Sequence, residues 1–469
     1  MPFADLREYI AALEERELLC RVSATVDWDL EIGAIQRAMF DRYGPALYFE
    51  SVRDSSFPIV SGLMATPERF ALALECEPTV GAIIEHLREV ASRQTLEPVS
   101  VESGPCQENV VQGADLDLFS LPVPKWHDLD GGRYLGTLGL VIARDPETGA
   151  RNVGIYREQI TSPTSTALNA TQQVGILLRK YRDLGKPMPI ATAVGVDPCT
   201  LVSSCLQARL GVDELEAAGG LLGRPLELVK CVSQDLEVPA NAEFVFEGEI
   251  DPNAPLVDEG PFGEYAGYYG QSGKAPEIKL TAMTHRDNAI FQGTLEGAPP
   301  SESTMLRVPG STSMLAEALK SMKTPGVKDV YMTDMGCVSY MVVVSLDRHP
   351  YQGYVRQVME QIWAFDIEAK WVIVVDDDID VFARDQVEWA LATRVEPHRD
   401  VWVTPQNQPG VDLDPAIPQP ARADDREVRT SRIGVDATTQ FKGFEFGPLA
   451  RPRTVDKVLE RWAELGLPG

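Results

Sequence analysis

The sequence predicts an α/β protein, α+β in the sense that strand-rich and helix-rich parts are segregated along the chain. Two patterns and one quantity predict it. Between Tyr134 and Thr294 short apolar segments follow one another with turn residues between them, the pattern of a barrel or sandwich core. Beyond Pro309 helical and extended periodicities alternate, the pattern of a separate α/β layer domain. The chain has 469 residues, 44% of them apolar, which is enough core material for about two to four domains.

The elements follow in order. Asp5-x-x-Glu8 resembles a capping box with Asp in the Ser/Thr position, and Leu6, Tyr9, Ile10 and Leu13 share one helical face behind it. Strands are expected over 46–52 and 59–62, a helix over 79–92, and a polar, Pro-punctuated connector over 97–121. A hairpin is expected with arms 134–144 and 151–160 around the turn Asp145-Pro146-Glu147-Thr148-Gly149. A helix over 171–184 stops at Gly185 and Pro187, and a shorter one over 212–222 stops at Gly223 and Pro225. Strands are expected over 190–196, 226–231, 243–249, 278–285 and 289–294. Helices over 313–320, 351–365 and 385–394 then alternate with strands over 327–333, 339–346 and 370–376, with 401–404 extended. Residues 407–425 form a Pro- and Asp-rich surface connection. Residues 455–465 form a terminal helix with Val458, Leu459, Trp462 and Leu465 on one face. These shifts divide the chain into 1–115, 116–308 and 309–469.

Composition excludes several functions. There are 70 Asp and Glu against 43 Lys and Arg, a net charge of −27. A nucleic-acid coat or an anionic-membrane binder needs the opposite sign. The most apolar runs are far too short to span a bilayer, and the opening residues have no signal-peptide pattern. Seven scattered cysteines without C-x-x-C, and five histidines without H-x-x-x-H, give neither a disulfide scaffold nor a thiolate zinc site. The expectation is a reduced, cytoplasmic protein.

Four segments could carry chemistry. In Glu259-Gly260-Pro261-Phe262-Gly263-Glu264 two glycines and a proline shape a loop between two carboxylates, which could couple as an acid/base pair or be a solvated acidic turn. In Asn152-Val153-Gly154-Ile155-Tyr156-Arg157 strict alternation puts Arg157 on the apolar face. A guanidinium there needs an anion, unless it sits at a strand end and reaches water. Asn152 falls on the opposite face, so a bulge or twist near Gly154 is needed if both serve one site. Glu214 shares a helix face with Ala218 and Leu221, where a carboxylate is paired, protonated or on a metal, unless it is simply a first-turn residue favoured by the helix dipole. Asp376-Asp377-Asp378-Ile379-Asp380 closes a strand, but no phosphate-cradling glycine loop accompanies it, so it reads as a structural turn.

Taken in order, these segments resemble the UbiD family of reversible decarboxylases, which use prenylated FMN. Val26-Asp27-Trp28-Asp29-Leu30-Glu31-Ile32-Gly33-Ala34-Ile35 is similar to the family's opening, and Glu227-Leu228-Val229-Lys230-Cys231 with Val238-Pro239-Ala240-Asn241-Ala242-Glu243 to its middle. The acid loop and the Asp376–Asp380 run are among its most recognisable stretches. The resemblance implies a flavin-binding domain on a split-β-barrel-like core and a C-terminal α/β oligomerisation domain. It implies catalytic residues Arg157, Glu259 and Glu264, with Glu264 protonating the carbon that loses CO₂ and Arg157 and Glu259 paired beside the substrate carboxylate. It implies a covalent cofactor–substrate adduct, because decarboxylation at an sp² carbon leaves a carbanion that no side chain stabilises. The family's metal ligands are Asn, His and Glu. Asn152 and Glu214 match, and the His position falls on Gln173, whose oxygen suits a hard Mn²⁺ or Mg²⁺ ion with K⁺ beside it. Gln173 stands one turn from Leu177, which places it on the inward side of its helix. Ile155, Tyr156, Gln172 and Lys370 match further cofactor contacts.

The partners implied are a small carboxylic acid, a flavin prenyltransferase that supplies the cofactor, and further copies of the chain as a dimer or hexamer. Tyr265, directly after the acid, is expected to line the substrate pocket, with 296–311 as another wall. Two alternatives stand beside this reading: a non-catalytic flavin- or carboxylate-binding homologue, and a flavin-independent, metal-dependent lyase.

Overall fold

The first helix forms as its cap prescribes. In the computed structural model of the protein Leu6–Glu15 is helical, Asp5 accepts the Glu8 N–H at 2.9 Å, and Glu8 accepts the Ala4 N–H at 2.7 Å. Leu6, Tyr9, Ile10 and Leu13 are buried along one face. The structure describes residues 2–92, 95–206, 213–411, 413–418 and 428–447, with positions 450, 458, 461, 462, 464 and 465 beyond. The expected terminal helix over 455–465 falls largely outside the described residues, and so does part of 407–425.

Strands Leu19–Val22, Ala46–Phe49 and Ile59–Ser61 form an N-terminal sheet that Phe291–Gln292 joins from far along the chain. The sheet is therefore tied to the central one by a strand as well as by packing.

The central sheet has eight strands. Along its path Arg151–Ile155 pairs with Leu140–Arg144, followed by Met188–Val194, Phe244–Ile250, Glu277–His285, Ser165–Leu168 and Glu158–Ser162, while Asn109–Gln112 also pairs with Glu277–His285. The two ends of that path, Arg151–Ile155 and Glu158–Ser162, are separated in sequence by Tyr156 and Arg157 alone. Three peptide links span at most about 11 Å, so the sheet must curl until its edges nearly meet. Glu158 shows the same closure from inside. Its carboxyl accepts from Thr166 at 2.7 Å and from Thr192 at 2.9 Å, on strands that are not neighbours in the sheet. This is a split barrel with its seam at Tyr156–Arg157.

The expected hairpin is thus half right. Leu140–Arg144 and Arg151–Ile155 pair in register, from Leu140 opposite Ile155 to Arg144 opposite Arg151. Residues 158–160 do not continue the second arm; they begin the strand on the far edge.

The C-terminal sheet runs Val327–Met332, Met341–Leu346, Trp371–Asp376, Ile433–Ala437, Val401–Val403. Alternate residues face opposite helices. Val342, Val344, Val372 and Val374 meet Tyr354–Phe365, and Val343, Ile373 and Val375 meet Arg384–Arg394. The helix expected over 313–320 is the second half of a 20-residue helix, Glu302–Ser321, with Pro309 inside it. Met305 and Leu306 at its start lie in the N-terminal core, and Leu315 and Leu319 lie in the C-terminal one. Among the described residues no helix is long and apolar enough to cross a membrane.

Glu302 anchors that long helix. Its buried carboxyl accepts the Gly62 N–H at 2.9 Å and the Met64 N–H at 2.8 Å. Replacing it by alanine leaves two buried donors unpaired, at about 1–3 kcal/mol each. Glu302→Ala is expected to lower the denaturation midpoint accordingly, and Glu302→Gln, which keeps one acceptor oxygen, to lose about half as much; chemical denaturation measures both.

Candidate active site

The barrel seam explains why Arg157 is free to act. Its neighbours turn into the protein: Tyr156 packs with Val174, Leu177, Leu178 and Tyr181, and Glu158 enters the barrel. Arg157 is left facing the other way. The pairing of Arg151–Ile155 runs through Gly154 without a bulge, and the chain changes direction here instead, where it crosses between edges.

The acid loop is held from three sides. Val257–Glu259 pairs with Gly273–Ala275. The Gly131 N–H donates to the Pro261 carbonyl at 2.8 Å, and the Gly263 N–H donates to Asp130 at 2.9 Å. Gly260 has φ +82°, and a Cβ there would stand 3.0 Å from the Gln271 carbonyl oxygen, so glycine is required for conformation and for space.

These constraints bring three side chains together. Arg157 Nε donates to Glu259 Oε1 at 2.9 Å and Nη2 donates to Oε2 at 2.6 Å, a bidentate pair. Its Nη1 donates to Glu264 Oε1. Glu259 is 4% exposed, and the side chains of Arg157 and Glu264 are each 13% exposed. The Tyr134 hydroxyl donates to Glu259 at 3.0 Å, and its ring lies 4.3 Å from that of Phe262. With the Asn169 amide set so that its oxygen faces the guanidinium, that oxygen accepts from Nε and Nη2 at 2.9 Å.

Burial pushes the Glu264 carboxyl above the usual carboxylate range; Arg157 pulls it back, and Glu259 adds to the rise. The Arg157 guanidinium is held in its charged form by its two carboxyl partners against the cost of burial. Arg157 bridges the two carboxyls, so the titration of Glu264 depends on both neighbours.

Tyr265 is buried directly behind Glu264. The Arg307 guanidinium lies 4.3 Å over its ring, and its hydroxyl is 3.5 Å from both the Tyr340 hydroxyl and Glu368. Burial raises Tyr265, Glu368 and Glu296, the last to about 7. The acid loop thus faces the long helix and the C-terminal sheet across a cluster of acids around Arg307.

The expected metal ligands divide. Asn152 Oδ1 is buried with no hydrogen-bond partner, and Glu214 accepts the Val153 N–H at 3.3 Å, so those two are adjacent. Burial raises the Glu214 carboxyl. Arg151 holds this arrangement by pairing at 2.5 Å with Asp213, which caps the Glu214 helix. Gln173 is exposed, not inward. The buried stripe of its helix is Val174, Leu177, Leu178 and Tyr181, and Gln173 precedes that stripe by about 100° of helical rotation. An orphaned amide oxygen beside a carboxyl fits a hard cation. Among the described residues no group of three His, Cys, Asp or Glu side chains could hold a metal ion by itself.

Of the remaining expected contacts, Ile155 packs against the core beside this pair, and Gln172 opens the helix Gln172–Asp183. Lys370 lies 2.9 Å from Asp414 and 5.5 Å over the ring of Tyr340, the neighbour of Tyr265. The aspartate run is structural: Asp378 makes a bidentate pair with Arg394 at 2.9 and 2.6 Å, and Asp376 accepts the Thr439 N–H at 2.7 Å. All seven cysteines are free.

A buried carboxyl raised above its usual range beside a guanidinium, on a split barrel joined to an α/β layer, is the fold and site of this chain, and its relatives are carboxy-lyases. Comparison with known proteins gives the family. The 3-octaprenyl-4-hydroxybenzoate carboxy-lyase family matches in three parts: its N-terminal domain over residues 10–87, its Rift-related domain over 97–299 and its C-terminal domain over 304–437. The chain belongs to this UbiD family. An uncharacterised protein of Synechocystis sp. is 34% identical over 99% of this chain and 96% of its own length. The UbiD-class enzyme HmfF of Pelotomaculum thermopropionicum, solved in complex with FMN, is 34% identical with TM-score 0.86, covering 97% of this chain and 98% of that one. The vanillic acid decarboxylase of Sedimentibacter hydroxybenzoicus is 30% identical with TM-score 0.87, covering 99% of each chain.

The Gly260 conformation yields a test. Alanine in the left-handed region costs about 1–2 kcal/mol. Gly260→Ala is expected to lose at least that in denaturant unfolding, and Gly273→Ala, whose Cβ would meet nothing within 4 Å, to match the wild type.

Proposed function

We propose that this chain is a reversible, non-oxidative decarboxylase of an aromatic or α,β-unsaturated carboxylic acid, working with prenylated FMN and using Glu264 as proton donor. The observation that carries the proposal is the unequal sharing of Arg157: two of its N–H groups serve Glu259 and one serves Glu264, whose carboxyl burial lifts. Glu259 answers most of the guanidinium charge. Glu264 therefore keeps a proton it can give, and Arg157 orients it and meets the substrate carboxylate.

Prenylated FMN, with which an evolved dimeric form of HmfF was solved, supplies the electron sink that the protein lacks. Its phosphate is negative, and so is Glu214 once ionised. Asn152 Oδ1 and Glu214 would hold a divalent Mn²⁺ or Mg²⁺, with K⁺ nearby, and the ion would supply the positive charge that offsets both. Gln173, at the exposed first turn of its helix, is the third ligand in this reading, and the helix has no side-chain cap, which leaves N–H groups for the phosphate. Tyr265 forms a wall of the substrate pocket, with Arg307 closing the space behind its ring. A cytoplasmic homo-oligomer, loaded by a flavin prenyltransferase, belongs to the same reading.

Glu264→Gln is expected to bind the cofactor, read by its absorbance, and to lose CO₂ release by at least about 10²-fold. Near wild-type turnover in this variant would sink the proposal. Arg157→Ala is expected to lose decarboxylation as well. The pH profile carries a sign: Glu264 acts while protonated, so kcat falls as pH rises through its raised pKa. That alkaline limb should lie above the ordinary glutamate value of about 4.3.

A further inference from the structure

Each decarboxylation consumes a proton: the bond to CO₂ breaks, the substrate carbon takes the proton of Glu264, and Glu264 is left a carboxylate. The next turnover needs one proton returned to an enclosed group. Glu259 is committed elsewhere: both its oxygens accept from Arg157 and one also from Tyr134.

Glu296 is placed to supply it. It lies within electrostatic reach of Glu264 and accepts the Ser303 hydroxyl at 2.5 Å. The other charged and titratable groups facing it are the Arg307 guanidinium, His127 and the Cys205 thiol. His127 lies between this region and the surface. Its side chain is 25% exposed. Its ring packs against Gly263, where an added Cβ would fall 2.4 Å from Nδ1, and it is close to Gly297, where one would fall 3.7 Å from Nε2. One imidazole therefore stands beside the residue before Glu264 and the residue after Glu296. Its buried Nδ1 makes no hydrogen bond and lies 3.4 Å from Asp130.

We propose that Glu296 reloads Glu264 with a proton after each turnover, drawing it from solvent by way of His127, and accepts the proton back when the reaction runs toward carboxylation. The proposal rests on the reading of Glu264 as proton donor. A carboxyl lifted to about 7 by burial both gives and takes a proton near neutrality, which suits a relay.

The test uses Glu296→Gln, which keeps an acceptor for Ser303 and removes the proton. In cofactor-loaded enzyme the first turnover, measured by rapid quench, is expected to match the wild type within about twofold, while steady-state kcat falls at least about tenfold. Imidazole added to the buffer should restore kcat in the variant and leave the wild type unchanged. In cofactor-free protein, the infrared carbonyl band of a protonated carboxyl should titrate near pH 7 and be missing from Glu296→Gln. His127→Gln, at the solvent end, should show the same split between first and later turnovers. Equal loss in both phases, no loss in either, absence of rescue, or a wild-type kcat that climbs with imidazole would each overturn the relay. A wild-type holoenzyme that releases no CO₂ from any acid overturns the decarboxylase reading, and the infrared titration then still decides whether Glu296 carries a proton near neutrality.

Discussion

One guanidinium shared between two buried carboxyls governs the centre of this protein. Removing Arg157 from water has a cost that Glu259, Glu264 and the Asn169 oxygen must offset together. A single positive charge cannot fully satisfy two negative ones in a poorly solvated space. Geometry makes the sharing unequal. The bidentate contact goes to Glu259, which Tyr134 also supports, while Glu264 has a single contact with the guanidinium and a carboxyl that burial raises, the asymmetry on which its proposed role as proton donor rests. The chemistry thus follows from an asymmetry in hydrogen bonding rather than from either acid alone.

That asymmetry depends on backbone placed far apart in sequence. Arg157 is fixed by a two-residue crossing between the edges of a curled sheet. The acid loop is fixed by Gly260 in the left-handed region and by bonds to Asp130 and Gly131. Behind them the helix Glu302–Ser321 carries Arg307 over Tyr265, while its two ends sit in different cores. A shift of this helix relative to the barrel would move the rear wall of the acid cluster, so packing of the C-terminal layer and the environment of Glu264 are linked through one rigid element.

The sequence made the acids legible because spacing and residue type sufficed: a Gly-Pro-Phe-Gly loop between two glutamates, and an arginine in an apolar strand. It did not show the seam, because nothing local distinguishes a strand that continues from one that crosses to the far edge of a sheet. Tyr134 and Asn169 escaped for the same reason; their contacts with the site are set by closure of the barrel. The face of Gln173 does not follow from its spacing to Leu177 alone, because the stripe of four buried residues sets the helix rotation. The helices Pro67–Leu74 and Pro198–Cys205 were missed although each opens with a capping residue and proline, Thr66-Pro67 and Asp197-Pro198. Pro198–Cys205 is buried almost all round, so it shows no amphipathic period to support its cap. The three-way division of the chain follows the change in element pattern, and the boundary at 308/309 falls inside a continuous helix.

The charge of the whole chain bears on how such a site must work. A net charge of −27 repels an anionic acid and a phosphate-bearing cofactor at long range. That field is screened beyond about 8 Å at physiological ionic strength, so capture of an anion is decided at close quarters. Within that distance the site offers Arg157, already committed to Glu259, and Arg307, set among Glu296, Glu368 and Tyr265. Neither is a free cation. Recognition of a carboxylate here requires the neighbouring acids to hold their protons, which burial of Glu264, Glu296 and Glu368 promotes. One physical cause thus bears on both proposed roles: the burial that raises these acids favours a stored proton, and an acid that holds its proton leaves the guanidinium beside it able to receive an anion.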